Sequence, residues 1–415
     1  MRILMLTCFP HIWGPLPKLL PVLASTLRAR GCEVSTEPWG RHREGESIFE
    51  KIIGRIGDIA RVRRRCAREK FDMIIVHTTT EMVNYSRDIP VLWLCRRLVR
   101  HVVLHFHGST SAMLFEPGNM AFKHASRILL QLADGVLVLS SEELAQWKQF
   151  YPQGAFFLTC NPFEPFRGQP AQQLPLPAKL PAGVPVLLYV GRLTKEKGIF
   201  DLLEAMVILG QQTAFHLLVA GGGPDEQSFR ARIHALRLED KVTLAGYLDA
   251  PKLQRAYQSA DLFVFPSWRE GFPTVITEAM AAGLPIVTTY IRGAADHLKE
   301  GVHACFVPPK SPAALAKAIT RLLADPELRQ TMSKANRTKV REFEPDIVGS
   351  EYLELLKQIA ALKDSGPSSL PRQSTRRPTS PHCTYRNMIL SPSKLEPPIR
   401  ARLGSAGDGQ DAPGL

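Results

Sequence analysis

The sequence lacks the paired cysteines that build disulfide frameworks and metal clusters. Its seven cysteines stand alone, with no Cys-x-x-Cys pair and no metal-like spacing of cysteine and histidine. They are typical of reduced, buried thiols in a cytoplasmic protein. No apolar run approaches the roughly 20 residues of a membrane-spanning helix. The apolar start is interrupted by Pro10, His11 and Gly14, and no small-residue cleavage site follows, which favours a first buried strand over a signal peptide.

Negative charge is also scarce. The chain has 39 acidic and 52 basic residues, a formal net charge of +13. This balance does not identify a partner, because nucleic acids, anionic membranes and acidic small molecules all attract a basic protein. A length of 415 residues with 45% hydrophobic residues is enough for two domains with sizeable cores.

Short apolar runs alternate with longer amphipathic segments along the first 160 residues. The predicted strands are Arg2–Thr7, Met73–His77, Val102–His105 and Gly135–Leu139, and the predicted helices are Leu16–Arg30, Ile48–Lys70 and Met120–Ala133. Alternation of this kind is typical of a parallel sheet with helices on both faces.

A second alternating series begins at residue 186. Its predicted strands are Val186–Val190, His216–Ala220, Val242–Ala245, Leu262–Phe265 and Pro285–Thr289, and its predicted helices are Gly198–Gly210, Pro224–Leu236, Ala250–Ser259, Thr274–Ala282 and Pro312–Ala324. The fold class is therefore α/β, with two Rossmann-like domains in tandem. Ligands of such sheets bind at the carboxyl ends of the strands, so the site is expected in the cleft between the domains.

Proline separates the two series. Seven prolines occur among residues 161–185, where neither a helix nor a central strand can continue. We therefore predict a first domain over residues 1–162, a linker over 163–184 and a second domain over 185–345. A further amphipathic helix follows at Asp346–Lys363. Beyond it, Pro, Ser, Arg, Gly and Gln dominate, which predicts a disordered basic tail over 364–415.

Two glutamates, Glu270 and Glu278, stand where a predicted strand passes into a predicted helix. Glu270 lies on the loop, and Glu278 lies just over a turn beyond Pro273, which can occupy the first helical position. The N–H groups of Thr274 and Val275 point out of the helix start, where the dipole favours an anion. Such a site suits a ligand with both phosphate and hydroxyl groups, as a nucleotide sugar has. Two solvated surface glutamates are the alternative.

Two cations follow the first strand of the second series. Arg192 and Lys197 lie in Gly191-Arg-Leu-Thr-Lys-Glu-Lys-Gly198. At a strand end facing the cleft they are suited to hold a diphosphate and to neutralise its charge as it leaves, the work that a magnesium ion does elsewhere. The alternative is a pair of surface cations before a helix.

Glycines mark two further strand ends. Gly221-Gly-Gly-Pro224 permits close approach of the backbone to a ligand, or equally a tight turn. It is not a dinucleotide fingerprint, because Glu226 stands where the third glycine would be. Gly14 follows the first strand, where a glycine lets a phosphate or sugar approach, although the neighbouring prolines also suit a rigid turn.

Histidines end a strand of the first domain, in His105-Phe-His-Gly-Ser109. His105 and His107 share one face of the strand, which suits a metal as well as a substrate. No nearby Asp, Glu or Cys completes a ligand set, and zinc needs more than a pair of ligands. We therefore expect a substrate contact rather than a metal site, with a structural role as the alternative.

The segment Ile48–Lys70 combines positive charge with an apolar face. Its arginines are Arg61, Arg63, Arg64, Arg65 and Arg68, and opposite them lie Ile52, Ile53, Ile56 and Ile59. A basic amphipathic helix can lie on an anionic membrane. Because a strand follows at once, we favour a helix that covers the sheet and presents a charged face to solvent.

Taken as an ordered set, these motifs resemble those of the retaining glycosyltransferases of family 4, which have the GT-B fold. The resemblance covers residues 1–360 and is carried by Gly191-Arg-Leu-x-x-x-Lys-Gly198, Gly221-Gly-Gly-Pro224, Pro266-Ser-x-x-Glu-Gly-Phe-Pro273 and the Glu270/Glu278 pair. The sequence departs from the family at Pro15, where a second glycine is usual and where proline offers no N–H. It also lacks the family's second glycine in Gly301-Val-His-Ala-Cys305.

The resemblance implies a role for each site residue. Arg192 and Lys197 would bind the donor diphosphate, with Gly14 over the phosphates. Glu278 would bind the ribose hydroxyls and Glu270 the sugar hydroxyls. His107 would contact the donor sugar near the reacting carbon, with His105 as second choice. The backbone of the loop and helix start would contact sugar and phosphate through Gly271, Phe272, Pro273, Thr274 and Val275. The final helix would cross back to the first domain.

The expected activity is transfer of a sugar from a nucleotide-diphosphate donor to an acceptor hydroxyl, with retention at the anomeric carbon and without a metal. No cofactor is implied, and UDP and GDP both stay open for the donor. A glycan or lipid-linked acceptor in surface polysaccharide or glycolipid assembly is expected, with peripheral contact to an anionic membrane and no nucleic-acid partner. The alternatives are a nucleotide-sugar 2-epimerase, whose acid/base carboxylates have no counterpart in the first domain, and a non-catalytic nucleotide-sugar-binding protein.

Overall fold

Two parallel sheets of six strands organise the chain. The structure is a computed structural model that describes residues 1–12, 14–43, 45–108, 111–164 and 180–364. Most of the predicted linker, and the predicted tail beyond residue 364, lie outside the described residues.

The first sheet and its helices occupy the N-terminal part of the chain. The strands are β1 (Arg2–Thr7), β2 (Glu33–Pro38), β3 (Met73–Thr79), β4 (His101–Gly108), β5 (Gly135–Val138) and β6 (Phe156–Leu158), and the helices are α1 (Leu16–Ala29), α2 (Ile48–Arg68), α3 (Met82–Cys95), α4 (Met120–Leu132) and α5 (Ser141–Phe150). The strand order is β2-β1-β3-β4-β5-β6. The central strands are buried because helices cover both faces.

The second sheet repeats this plan. Its strands are β7 (Val186–Val190), β8 (His216–Ala220), β9 (Val242–Gly246), β10 (Leu262–Phe265), β11 (Ile286–Thr289) and β12 (Ala304–Val307). Its helices are α6 (Ile199–Leu209), α7 (Glu226–Ala235), α8 (Ala250–Gln258), α9 (Thr274–Ala282), α10 (Arg292–His297), α11 (Pro312–Ala324) and α12 (Pro326–Lys339). The order β12-β11-β10-β7-β8-β9 places β7 and β10 side by side at the centre. The α/β architecture with two Rossmann-like sheets is confirmed.

The last helix, α13 (Pro345–Asp364), packs on the first sheet rather than on the second. Alternate residues of β1 point to opposite faces, and Ile3 and Met5 share their face with Tyr352 and Ile359 of α13. A side chain on Gly349 would meet the Thr26 methyl carbon at 1.9 Å, so the glycine lets α13 lie directly against α1. The predicted crossing of the final helix is therefore confirmed.

Several elements were not predicted from the sequence. They are β2, β6, β12, α3, α5, α10 and α12. The strands β2, β6 and β12 lie toward sheet edges, where burial is less continuous and the apolar signal is weaker. Helix α3 contains Pro90. A proline in a sequence predicts the end of a helix, but α3 continues through it.

The solvent face of α2 carries Arg63, Arg64 and Arg68, as expected, but it is also partly apolar, which was not expected. Arg61 and Arg65 turn inward and pair with Glu37 on β2. Ile53 and Ile56, expected on the buried side, are 55% and 63% exposed, and Phe49 is 71% exposed. The buried side of this helix is formed by Asp58, Val62 and Cys66, and Ile59, which we predicted there, packs against the same core. The two inward ion pairs explain the rotation, because Glu37 is itself buried and needs a cationic partner.

Candidate active site

The two glutamates of the predicted site lie on the segment that joins β10 to α9. Pro273 caps the helix with extended backbone, so α9 begins at Thr274, one residue later than a proline in the first helical position would place it. Gly283 closes the helix in the left-handed conformation, with φ 74°. Phe272 points into the core, where its ring lies 5.2 Å from that of Phe343. Only its backbone is available to a ligand in the cleft.

Glu270 is held by two neighbours at one carboxylate oxygen. Its carboxylate forms an ion pair with Lys197 and accepts a hydrogen bond of 2.9 Å from the Ser267 hydroxyl. The structure thus brings Lys197 and Glu270 together, although the sequence assigned them to different parts of the donor. Arg192 lies on the same strand-end turn as Lys197 and is exposed.

The glycines of both strand-end motifs allow one backbone turn to lie against another. A side chain on Gly198, where φ is 69°, would meet the Pro266 carbonyl oxygen at 2.0 Å. A side chain on Gly221 would meet the Gly191 carbonyl oxygen at the same distance. The Leu193 amide then donates to the Gly222 carbonyl at 2.9 Å. These glycines therefore set the positions of Arg192 and Lys197, and the tight-turn interpretation of Gly221 is the one that the structure favours.

Glu278 is half-buried and has a phenol as its partner. The Tyr257 hydroxyl donates to it at 2.7 Å. Burial raises the pKa of Glu278, while the Tyr257 hydrogen bond and the charge of Lys18 act to lower it. Since Lys18 belongs to the first turn of α1, that turn faces Glu278 across the cleft. Gly14, exposed and with φ 146°, lies on the loop just before it.

The backbone of His107 meets the loop over residues 266–273, which we call the donor loop after its predicted role, from the opposite domain. Its carbonyl oxygen lies 3.4 Å from the position of a side chain on Gly271. The two domains are also joined beside the site. The Arg292 guanidinium donates to Ser111 at 3.0 Å, and Asp296 accepts from the Ser141 amide at 2.7 Å. The cleft between the domains therefore collects residues of both halves of the predicted site.

A third histidine joins the two that the sequence brought to notice. Nδ1 of His77 and Nε2 of His107 are 2.8 Å apart, and the ring of His105 lies 4.0 Å from that of His107. Burial lowers the pKa of all three, and that of His107 to about 3, so the rings are neutral. Asn161 lies beside His107 and opposes this shift, although the two side chains form no well-aligned hydrogen bond. The parallel register of β3 and β4 pairs His77 with His105, which a pairing prediction would have revealed.

Sequence reasoning missed other residues of the site because their signals are weak. Gly293 lets the start of α10 approach the donor loop, since its amide donates to the Gly271 carbonyl at 2.7 Å and a side chain would meet that oxygen at 2.2 Å. Tyr257 and Lys18 come from elements that carry no motif. Only their positions next to Glu278 in the folded chain identify Tyr257 and Lys18 as site residues.

Comparison with known proteins was made against families, curated sequences and solved structures. Residues 175–339 match the family model described as glycosyl transferases group 1. An uncharacterized glycosyltransferase of Methanocaldococcus jannaschii is 32% identical over 173 residues, which are 41% of this chain and 44% of that protein. The putative colanic acid biosynthesis glycosyltransferase WcaL of Escherichia coli is 31% identical over 195 residues, 45% of this chain and 48% of that protein. The chain thus spans less than half the length of these relatives.

Two solved structures share the architecture. A sucrose-phosphate synthase of Thermosynechococcus elongatus aligns with a TM-score of 0.68 at 22% identity, covering 87% of this chain and 99% of that one. The Anabaena protein HepE in complex with UDP-glucose aligns with a TM-score of 0.65 at 19% identity, covering 86% and 100%. At such identities the likeness concerns the fold. Residues 175–339 are thus similar to the glycosyl transferases group 1, and the two-domain fold of the chain is the GT-B fold of these solved structures.

Proposed function

We propose that the protein is a retaining glycosyltransferase that moves a sugar from a nucleotide-diphosphate donor to an acceptor hydroxyl. The observation that supports the proposal is the ion pair of Lys197 with Glu270 just before α9, with Glu278 inside that helix and the His107 carbonyl 3.4 Å from the side-chain position of Gly271. Relatives named for the biosynthesis of colanic acid, teichuronic acid and capsular polysaccharide support surface polysaccharide assembly as the setting.

The proposed donor lies with its diphosphate at the helix start. Arg192, Lys197 and the amides of Thr274 and Val275 are the groups suited to bind the phosphates, because the first N–H groups of a helix have no partner within it. Glu278 accepts from the ribose hydroxyls and Glu270 from the sugar hydroxyls. Solved neighbours in complex with UDP and UDP-glucose support a uridine donor, with GDP as the alternative.

Retention is proposed to follow a front-face route. The bond from the anomeric carbon to the phosphate oxygen breaks while the acceptor oxygen bonds to the same face of that carbon. The acceptor proton passes to the departing diphosphate, whose new charge is stabilised by Arg192 and Lys197. The front-face route gives Glu270 no nucleophilic role, and one oxygen of its carboxylate pairs with Lys197 and accepts from Ser267. No metal is proposed at the diphosphate, because the two cations supply its charge.

Labelled-sugar transfer tests this assignment. A thermal-shift panel of UDP and GDP sugars first selects the donor, because a ligand of the native state raises the unfolding temperature. Arg192→Ala and Glu270→Ala are then expected to lower kcat/KM by about 100-fold or more. Lys195→Ala is the matched control, an exposed cation in the same turn that should retain activity.

Unaltered sugar transfer by both variants would contradict the assignment of Arg192 and Glu270 to the site. The other functions are separated by products. Epimerised nucleotide sugar in the absence of acceptor would identify an epimerase, and donor that binds without turnover by any acceptor would identify a binding protein. Retention is checked by NMR of the new anomeric proton, and an inverted linkage would contradict the front-face route.

We further propose that the outward face of α2 rests on an anionic membrane, where a lipid-linked acceptor would be found. We call Phe49, Ile53, Ile56, Arg63 and Arg64 the α2 surface; all five are exposed. The apolar first half of the α2 surface would insert among the lipid headgroups. Each basic residue of its second half contributes about 1 kcal/mol of binding free energy near an anionic surface. Within the described part of the chain, no helix combines the length and the apolar character that crossing a membrane requires.

Sedimentation with vesicles tests the α2 surface. Binding to vesicles containing phosphatidylglycerol should exceed binding to phosphatidylcholine alone and should weaken with salt, because the charge attraction is screened. Phe49→Ser with Ile53→Ser should reduce it at least about tenfold. Met120→Ser is the control, a side chain that is also 67% exposed but lies on α4. Equal binding by the double variant would contradict the proposal.

A further inference from the structure

Three histidines meet at the carboxyl ends of β3 and β4. His77 stands opposite His105 in the register of the two strands, and His107 lies two residues further along β4. Each offers a ring nitrogen, and the three nitrogens lie within 4.8 Å of one another. Two adjacent strands thus bring three potential metal-binding nitrogens close to one another.

The cluster holds more polar nitrogen than it can satisfy by itself. Nε2 of His77, Nε2 of His105 and Nδ1 of His107 are buried, and none has a hydrogen-bond partner among the residues that the structure describes. A buried polar atom left unpaired costs about 1–3 kcal/mol. The single hydrogen bond between His77 and His107 therefore leaves these three ring nitrogens of the cluster unsatisfied.

We propose that His77, His105 and His107 form a binding site for a divalent transition metal of the zinc type. Zinc–nitrogen bonds of about 2.0–2.1 Å place tetrahedral ligands about 3.3 Å apart. The three nitrogens lie within 4.8 Å of one another, so an ion at their centre would have to draw them about 1.5 Å closer together. A bound ion would take Nε2 of His105, which has no hydrogen-bond partner among the described residues, and one nitrogen from each of the other two rings, in place of the hydrogen bond between His77 and His107. Three histidines with an open fourth position are a common zinc arrangement.

The surroundings of two rings suit metal ligands. Histidines that bind a metal usually donate the second ring N–H to a neighbouring oxygen, which fixes the tautomer. The Tyr352 oxygen lies 3.2 Å from Nδ1 of His105 and can accept that proton, leaving Nε2 with its lone pair for the ion. The side chain of Asn161, beside His107, can accept in the same way.

Ligand chemistry selects the kind of ion. The cluster contains imidazole nitrogens and no carboxylate or thiolate among the described residues. Imidazole suits zinc, cobalt, nickel and copper, whereas magnesium and calcium take oxygen ligands. The site is therefore distinct from a magnesium ion on a diphosphate, and the inference goes beyond the proposed transferase activity. His77 and His105 are closed off, but His107 is partly exposed, so an ion would enter from the cleft.

Cobalt titration of the full-length, tag-free protein tests the site without any need for transferase activity. We expect one equivalent of Co²⁺ to bind with visible absorption bands of a four- or five-coordinate nitrogen site, and Zn²⁺ to displace it. His77→Gln should weaken binding at least about 100-fold, and Tyr352→Phe by about 10- to 100-fold, as expected for an outer partner. His216→Gln is the control, a buried histidine of β8 outside the cluster that should leave binding unchanged.

Absence of the cobalt bands in the wild-type protein would overturn the proposal, as would bands that survive in His77→Gln. Circular dichroism checks that the variants are folded. If His77→Gln does not fold, NMR of histidine-labelled wild-type protein decides. Zinc must then shift the ring nitrogens of three histidines together, and a shift confined to exposed histidines would show adventitious binding and refute the site.

Discussion

At the scale of single residues, the two glutamates of the cleft differ in how they are held. Glu270 has a cation and a hydroxyl as partners, whereas Glu278 has the Tyr257 phenol and a half-buried position. Burial raises the pKa of Glu278 from its usual value of 4.5. A carboxylate kept in an unfavourable setting is a stability cost that a ligand can offset, because ribose hydroxyls would supply the hydrogen bonds that water no longer supplies.

Glu278→Gln should weaken donor binding and remove a contribution that destabilises the folded protein at neutral pH. The folded protein holds the Glu278 proton more tightly than the unfolded chain does, so this residue makes the free energy of unfolding fall as the pH rises above about 4.5. Glutamine removes that contribution, and urea unfolding between pH 4.5 and 7 should show a flatter pH dependence. Replacing a charged acceptor by a neutral one should weaken donor binding by about 10- to 100-fold.

Glu351→Gln is the control for both measurements, because Glu351 is exposed on α13. A Glu278→Gln protein with unchanged donor affinity would show that this carboxylate does not bind the ribose. An unchanged pH dependence would show that its pKa is not raised.

At the scale of elements, glycines decide how closely segments approach. Gly198 and Gly221 allow neighbouring strand-end turns to meet, and Gly293 brings α10 against the donor loop. Gly349 does the same for α13 on α1. Each position has a specific atom in its path, so the role of each glycine is a matter of space as well as of backbone conformation.

Gly349→Ala should loosen the docking of α13. The new methyl group would overlap the Thr26 methyl carbon, which lies 1.9 Å from its position, and overpacking of this kind costs about 1–3 kcal/mol. Thr26→Ala removes the opposing methyl, so the double variant should recover much of the loss. Chemical denaturation of the single and double variants gives the coupling energy. Additive losses would mean that the two residues are not in contact.

At the scale of the whole molecule, contacts between the domains hold the cleft. Arg292 of α10 forms an ion pair with Glu142 at 3.2 Å and donates to Ser111, while Asp296 accepts from the start of α5. These contacts lie beside the donor loop, so closure of the domains and assembly of the site are linked.

Arg292→Ala should favour a more open molecule. Its guanidinium is mostly buried, and loss of its hydrogen bonds should lower the free energy of unfolding by about 1–3 kcal/mol. Small-angle scattering should show a larger radius of gyration than for the wild-type protein. Arg230→Ala is the control, because Arg230 is exposed on α7 and forms its ion pair with Glu226 of the same helix. Unchanged scattering would show that other contacts suffice to hold the cleft.

The sequence by itself determined the α/β class, the two series of strands and helices, and the motifs at the strand ends. Periodicity fixes these because burial on both faces of a sheet demands continuous apolar runs such as β3 and β7. Tertiary structure alone decided the rest. It turned α2 so that Ile53 and Ile56 face outward, paired Lys197 with Glu270, and brought His77 to His105 and His107. These contacts join residues that are distant along the chain, and no local pattern records which side chains meet once the strands are in register.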